Sequence, residues 1–174
     1  MEEKNRYTFT ILTEDSPGVL HRIVSVFTKR SYNIESLTVS ETEKKGISRF
    51  TIVSIIPADK ISLLVHQMNR FIEVINAAVH IDEELLFKEI AFFRISFENS
   101  QGKADIEQLA FKHGANITMV NGKSLVIEKT GTEDEINKMK DAFADKSILN
   151  FVRSGRISIN KYDGDMIIEN DIAA

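Results

Sequence analysis

The sequence has no cysteine and no tryptophan, and only two prolines and eight glycines in 174 residues. Without cysteine there is no disulfide scaffold, no thiolate zinc site and no cysteine nucleophile, and four scattered histidines are left as the only soft metal ligands. A reducing cytoplasm fits that usage. Long apolar runs are also missing, and the charged start Met1-Glu2-Glu3-Lys4 has no apolar run behind it, so neither a signal peptide nor a membrane span is expected. No sign of charge dominates: 22 Lys and Arg stand against 26 Asp and Glu, a net −4 with acids and bases interleaved, which disfavours nucleic acid as a partner. There is no GxGxxG after a strand, no GxxxxGK and no GxSxG, and Gly46, Gly102, Gly114 and Gly122 each sit where a turn is expected. His21, His66, His80 and His113 fall on different predicted elements without an i, i+4 partner, so no catalytic residue and no metal ligand is assigned.

What is present is a chain 43% hydrophobic, long enough for one ordinary domain or two of about eighty residues. Two halves of that size are each short of core, which points to oligomerisation. Residues 6–13 alternate Tyr7, Phe9, Ile11 against Thr8, Thr10, Leu12, the period of a strand. After Glu14-Asp15-Ser16-Pro17-Gly18, the spacing of Leu20, Ile23, Val24 and Phe27 predicts a helix of about thirteen residues, with Asp15 or Ser16 as its cap and Pro17 at its first position. Residues 33–40 and 47–56 read as a hairpin, a second helix opens at Pro57-Ala58-Asp59, and 74–81 returns as a strand: βαββαβ. From Leu86 the order repeats, with strands at 87–97, 116–120, 124–129 and 149–159 and helices carrying Ile106, Leu109, Ala110 and then Ile136, Met139, Phe143. Arg30-Ser31-Tyr32-Asn33-Ile34 corresponds to His113-Gly114-Ala115-Asn116-Ile117 at an offset of 83 (116 − 33). The predicted fold is α+β, two tandem ferredoxin-like domains at 1–82 and 83–161 joined at Asp82-Glu83-Glu84, with 162–174 as an acidic, frayed tail. Arg153-Ser154-Gly155-Arg156 interrupts the last predicted strand with a basic spot and a glycine, readable as a bulge or as a solvated edge.

The turn at 14–20 carries the most chemistry. A helix start offers unpaired N–H groups and partial positive charge, Gly18 lets a ligand approach the backbone, and Asp15 can take an ammonium. These are the parts needed to hold both ends of a free amino acid. The plainer alternative is a helix cap and nothing more. Likewise Asn33 offers a two-way amide, or simply starts a strand.

The string Asp15-Ser16-Pro17-Gly18-Val19-Leu20, followed by Tyr32-Asn33-Ile34-Glu35-Ser36-Leu37-Thr38-Val39 and Ser48-Arg49-Phe50-Thr51-Ile52, resembles the ACT domain of acetohydroxyacid synthase (acetolactate synthase) small regulatory subunits. The match continues in Phe71-Ile72-Glu73-Val74, Lys88-Glu89-Ile90-Ala91 and Arg153-Ser154-Gly155, and so covers residues 6–160. The resemblance implies a cytoplasmic, non-catalytic subunit with an N-terminal ACT domain and a C-terminal ferredoxin-like domain. Such a subunit activates a large catalytic subunit, which alone carries thiamine diphosphate, Mg and FAD. It also confers feedback inhibition by valine, leucine or isoleucine. The implied effector site lies between two ACT domains of a homodimer. The carboxylate meets Ser16, Pro17, Gly18, Val19 and Leu20 at the helix start, Asp15 takes the ammonium, and Asn33 and Ile34 close the site from the other chain. Two positions depart from the usual pattern: Asp15 stands where the family often has Asn, and Ser31 where it often has Gly. A free-standing ACT sensor acting on another enzyme or on transcription is the alternative function, and an enzyme in its own right is the third.

Overall fold

In the computed structural model the described residues are 4–162; the expected acidic tail from 163 onward lies outside them. They group into two compact units, 4–86 with 157–162, and 87–156.

The first unit runs β1 (Lys4–Glu14), α1 (Val19–Thr28), β2 (Ile34–Glu41), β3 (Ile47–Pro57), α2 (Ile61–Met68) and β4 (Val74–His80). The strands form an antiparallel sheet in the order β2-β3-β1-β4. The period-two face of β1 explains the core: Phe9 and Ile11, opposite Ile52 and Phe50 of β3, meet Ile23, Val26 and Phe27 of α1 and Leu64 and Met68 of α2. Phe9 and Phe27 pack edge to face with centroids 5.3 Å apart. The alternate residues of this central strand, Thr8, Thr10 and Leu12, are buried too. Leading into α2, a single 3-10 turn at Ala58–Lys60 takes up the positions directly after Pro57.

The second unit repeats the order with β5 (Leu85–Ser96), α3 (Ser100–Lys112), β6 (Asn116–Asn121), β7 (Ser124–Gly131), α4 (Glu133–Ala142) and β8 (Ser147–Arg153). Its strand order β6-β7-β5-β8 is the same as that of the first sheet, and β9 (Ile157–Asn160) also pairs with β5. Phe93, Ile95, Leu125 and Ile127 of the sheet pack on Ile106, Ala110, Ile136, Met139 and Phe143. The tandem ferredoxin-like expectation therefore holds in element order and in strand order.

One expectation fails locally. The last strand is not continuous over 149–159: it breaks at Ser154-Gly155-Arg156, where Ser154 donates its N–H to the Ile90 carbonyl at 2.9 Å and its Oγ accepts the Ile90 N–H at 3.0 Å. The bulge reading of the basic spot is the one that fits, and only part of the spot is solvated: Arg153 and Ser154 are exposed and Arg156 is not. Arg156 is buried with its guanidinium 4.0 Å over the Phe87 ring, while Arg153 reaches the buried Glu89 at 3.1 Å and Glu133 at 3.2 Å. Stacking on an aromatic face offsets part of the cost of removing the Arg156 guanidinium from water, while the partly exposed side chain of Arg153 is held by its carboxylate partners.

Candidate functional site

The chain leaving β1 is held by three backbone bonds. Glu14 N donates to the Glu73 carbonyl at 2.8 Å, Asp15 N to the Gly46 carbonyl at 2.8 Å, and Ser16 N to the Glu14 carbonyl at 3.1 Å. Glu73 also pairs with Arg22 of α1. With the turn so fixed, and Pro17 lacking an N–H, the helix starts later than the spacing predicts. Gly18 is the N-cap, at φ 90°, and α1 has ten residues rather than about thirteen. The expected caps are thus corrected: the side chains of Asp15 and Ser16 accept no bond from the helix start, where only the Ser16 carbonyl accepts the Val19 N–H at 3.4 Å, and Pro17 precedes the cap instead of occupying the first helical position. At φ 90° an L side chain is strained, so glycine is the residue that suits this place.

The start of α1 consequently has no side-chain cap, and among the described residues the amides of Leu20 and His21 meet no acceptor. Asp15, Pro17 and Gly18 are exposed around this opening, Leu20 is about half exposed, and Val19 is buried beneath it. Open N–H groups at a positive helix end beside one exposed carboxylate are complementary to the two charged groups of an amino acid.

Asn33 and Ile34 lie past the other end of α1. A shallow cleft there is lined by Val24, Thr28, Ser31, Tyr32, Asn33 and Ile34. Ser31 sits in the left-handed region at φ 57°, and Tyr32 N donates back to the Phe27 carbonyl at 3.1 Å, which turns the chain sharply into β2. Ser54 Oγ donates to the Asn33 carbonyl at 2.6 Å and fixes the backbone, while the Asn33 side-chain amide has no partner among the described residues. Ten helical residues at 1.5 Å each place the two groups about 15 Å apart in one chain. The structure thus brings Asp15, Ser16, Pro17, Gly18, Val19 and Leu20 together, and Asn33 with Ile34, but does not bring the two sets together within one chain.

The second unit is an internal control. Its Glu98-Asn99-Ser100-Gln101-Gly102 matches Glu14-Asp15-Ser16-Pro17-Gly18 at an offset of 84 (98 − 14). There Asn99 is the cap, its side chain accepting the Gly102 N–H at 2.9 Å, and the helix starts at once at Ser100. The same turn is closed by its own side chain in one unit and left open in the other. Sequence reasoning missed this second copy because the helices and the segments after them repeat at 83, not 84, as Ile23 with Ile106 and Asn33 with Asn116 show.

Residues 9–76 match the family model described as AHAS small subunit-like ACT domain, and residues 88–162 the one described as small subunit of acetolactate synthase. The chain is 32% identical over 154 residues to a probable acetolactate synthase small subunit of Archaeoglobus fulgidus, covering 88% of this chain and 96% of that one. It is 30% identical over 155 residues to the acetolactate synthase small subunit of Mycolicibacterium smegmatis, covering 89% and 91%. The chain belongs to the acetolactate synthase small-subunit family. Its fold is also that of the acetolactate synthase small subunit of Thermotoga maritima, with a TM-score of 0.83 at 24% identity over 91% of this chain and 99% of that one. Within the family, then, the open turn lies in the ACT unit and the self-capped turn in the unit that follows it. Among the described residues no three His, Cys, Asp or Glu side chains gather as a metal site, and no helix is long and apolar enough to cross a membrane.

Proposed function

We propose that this small subunit raises the activity of the thiamine-diphosphate-dependent catalytic subunit of acetolactate synthase and makes it responsive to a branched-chain amino acid. Residues 1–82 bind the effector and pair two chains. Residues 83–161 form the second domain of the subunit, and thiamine diphosphate, Mg and FAD stay with the catalytic partner. The reading rests on the open start of α1. Its free amides and Gly18 receive the carboxylate, Asp15 receives the ammonium, and Asn33 and Ile34, about 15 Å from that opening in their own chain, complete the site from the second ACT unit of a homodimer.

The test is reconstitution of the full chain with its catalytic subunit, scored by acetolactate formation from pyruvate while valine, leucine and isoleucine are titrated separately. The expected result is a higher rate with the small subunit than without it, and a fall in that rate with at least one of the three. A rate that neither the small subunit nor any of the amino acids changes would refute the proposal.

A further inference from the structure

The second unit ends on one side in β6, an edge strand whose six residues, Asn116–Asn121, are all exposed. Half of the backbone N–H and C=O groups of an edge strand face outward, and sheets normally protect such edges with charge, proline or a covering element. The corresponding edge of the first unit, β2, carries Glu35 and Glu41. β6 carries no charge and no proline. Beside it α3 exposes Phe111 to 87%, and the strand itself exposes Met119 and Val120 by about half. Open ladder groups flanked by uncharged, apolar side chains call for another strand, and for one that brings no charge into the contact.

We infer that this edge pairs with the same edge of a second copy of the chain, antiparallel, β6 against β6. The strand is self-complementary in that arrangement. Pairing centred between Thr118 and Met119 sets Asn116 opposite the copy's Asn121, amide against amide, and Ile117 opposite the copy's Val120. The bulge at Thr118 in the β6–β7 ladder leaves Ile117 and Val120 on one side of the sheet, since they pair with Ile127 and Leu125, both of which face the helix layer. Ile117 and Val120 then form an apolar strip along the contact, with the exposed Phe111 at the end of the helix that leads into the strand, and no like charges are opposed within the strands. The contact is separate from the pairing of ACT units and needs no amino acid.

Because the chain has no cysteine, Met119→Cys in the full-length protein introduces a single thiol next to the expected two-fold axis. Oxidation or a short bismaleimide should give a covalent dimer at least tenfold faster than with the control Lys138→Cys, which places an exposed thiol on α4. In the cysteine-free chain, the pair Phe111→Glu and Met119→Lys, both at exposed positions, should lower the mass measured by light scattering across micromolar concentrations. Cross-linking no faster than the control, with an unchanged mass for the charged variant, would overturn the inference. So would a charged variant that self-associates normally but loses binding to the catalytic subunit, since that result assigns the edge to the large partner.

Discussion

At Gly18 the constraint is conformational and electrostatic, not steric: a Cβ built there meets nothing within 4 Å, yet φ is 90°. A left-handed L residue costs about 1–2 kcal/mol, so Gly18→Ala should destabilise the turn by about that much and weaken effector binding to the extent that the free turn relaxes out of this conformation. Gly18→Asp adds a negative charge where the proposed site receives a carboxylate, and on that proposal calorimetry with valine, leucine or isoleucine should show binding abolished while activation of the catalytic subunit largely survives. Asp15→Ala removes a charge-assisted bond worth roughly 1.5–3 kcal/mol, about ten- to a hundredfold in affinity. Asn33→Ala, which loses neutral bonds, should cost less. A parent that binds, with all of these variants binding equally well, would make the turn a helix start only. The residue types at this site were readable in the sequence, because Asp, Pro, Gly and Asn each have a local physical signature. Which of them caps the helix was not readable. That depends on acceptors at Gly46 and Glu73, far along the chain, which fix Glu14 and Asp15 before α1 begins.

Whole elements were more legible than their ends. Periods of two and of 3.6 located each helix and each main strand, because the buried face of an element has to repeat with the geometry of its backbone. The interruption after β8 was signalled by Gly155, but the burial of Arg156 was hidden because two arginines have the composition of a solvated edge. Only the folded chain supplies the Phe87 ring and the Glu89 carboxylate that hold them. At the start of α4 the structure shows a reciprocal cap, Thr132 with Glu135. The Thr132 Oγ1 accepts the Glu135 N–H at 3.3 Å, and the Glu135 carboxylate accepts the Thr132 N–H at 2.7 Å and a bond from Lys88 at 3.2 Å. Chiefly through the Thr132 backbone bond, and next through Lys88, the Glu135 carboxyl is held at about 2, below its ordinary 4.5. A depressed folded-state value stabilises the fold above the unfolded pKa, and that contribution is lost as pH falls from about 4.5 through 2. Denaturant titrations of Glu135→Gln should therefore show a shallower loss of stability than the parent across that window and a lower stability than the parent at neutral pH. Superimposable curves for the two proteins would mean that the Glu135 charge contributes nothing to the fold.

At the scale of the whole molecule, one βαββαβ plan is used twice with different outcomes at the same turn, open at Gly18 and closed by Asn99. Two units of this size, each short of core, favour assembly, and the proposed effector site requires it, since Gly18 and Asn33 lie at opposite ends of α1. If each pocket takes its turn from one chain and its Asn33 from the other, mixing Gly18→Asp chains with Asn33→Ala chains has a distinctive result. In a heterodimer one pocket combines the turn of the Asn33→Ala chain with the Asn33 of the Gly18→Asp chain and carries no lesion, while the other pocket carries both. After subunit exchange in an equimolar mixture, half of the dimers are mixed, so about a quarter of all pockets should bind with parent affinity, a class absent from either variant alone. Calorimetry should resolve that class once mass spectrometry shows that exchange is complete. If exchange is complete and no parent-affinity sites appear, the pocket is built within one chain, and the role of Asn33 across the dimer is wrong.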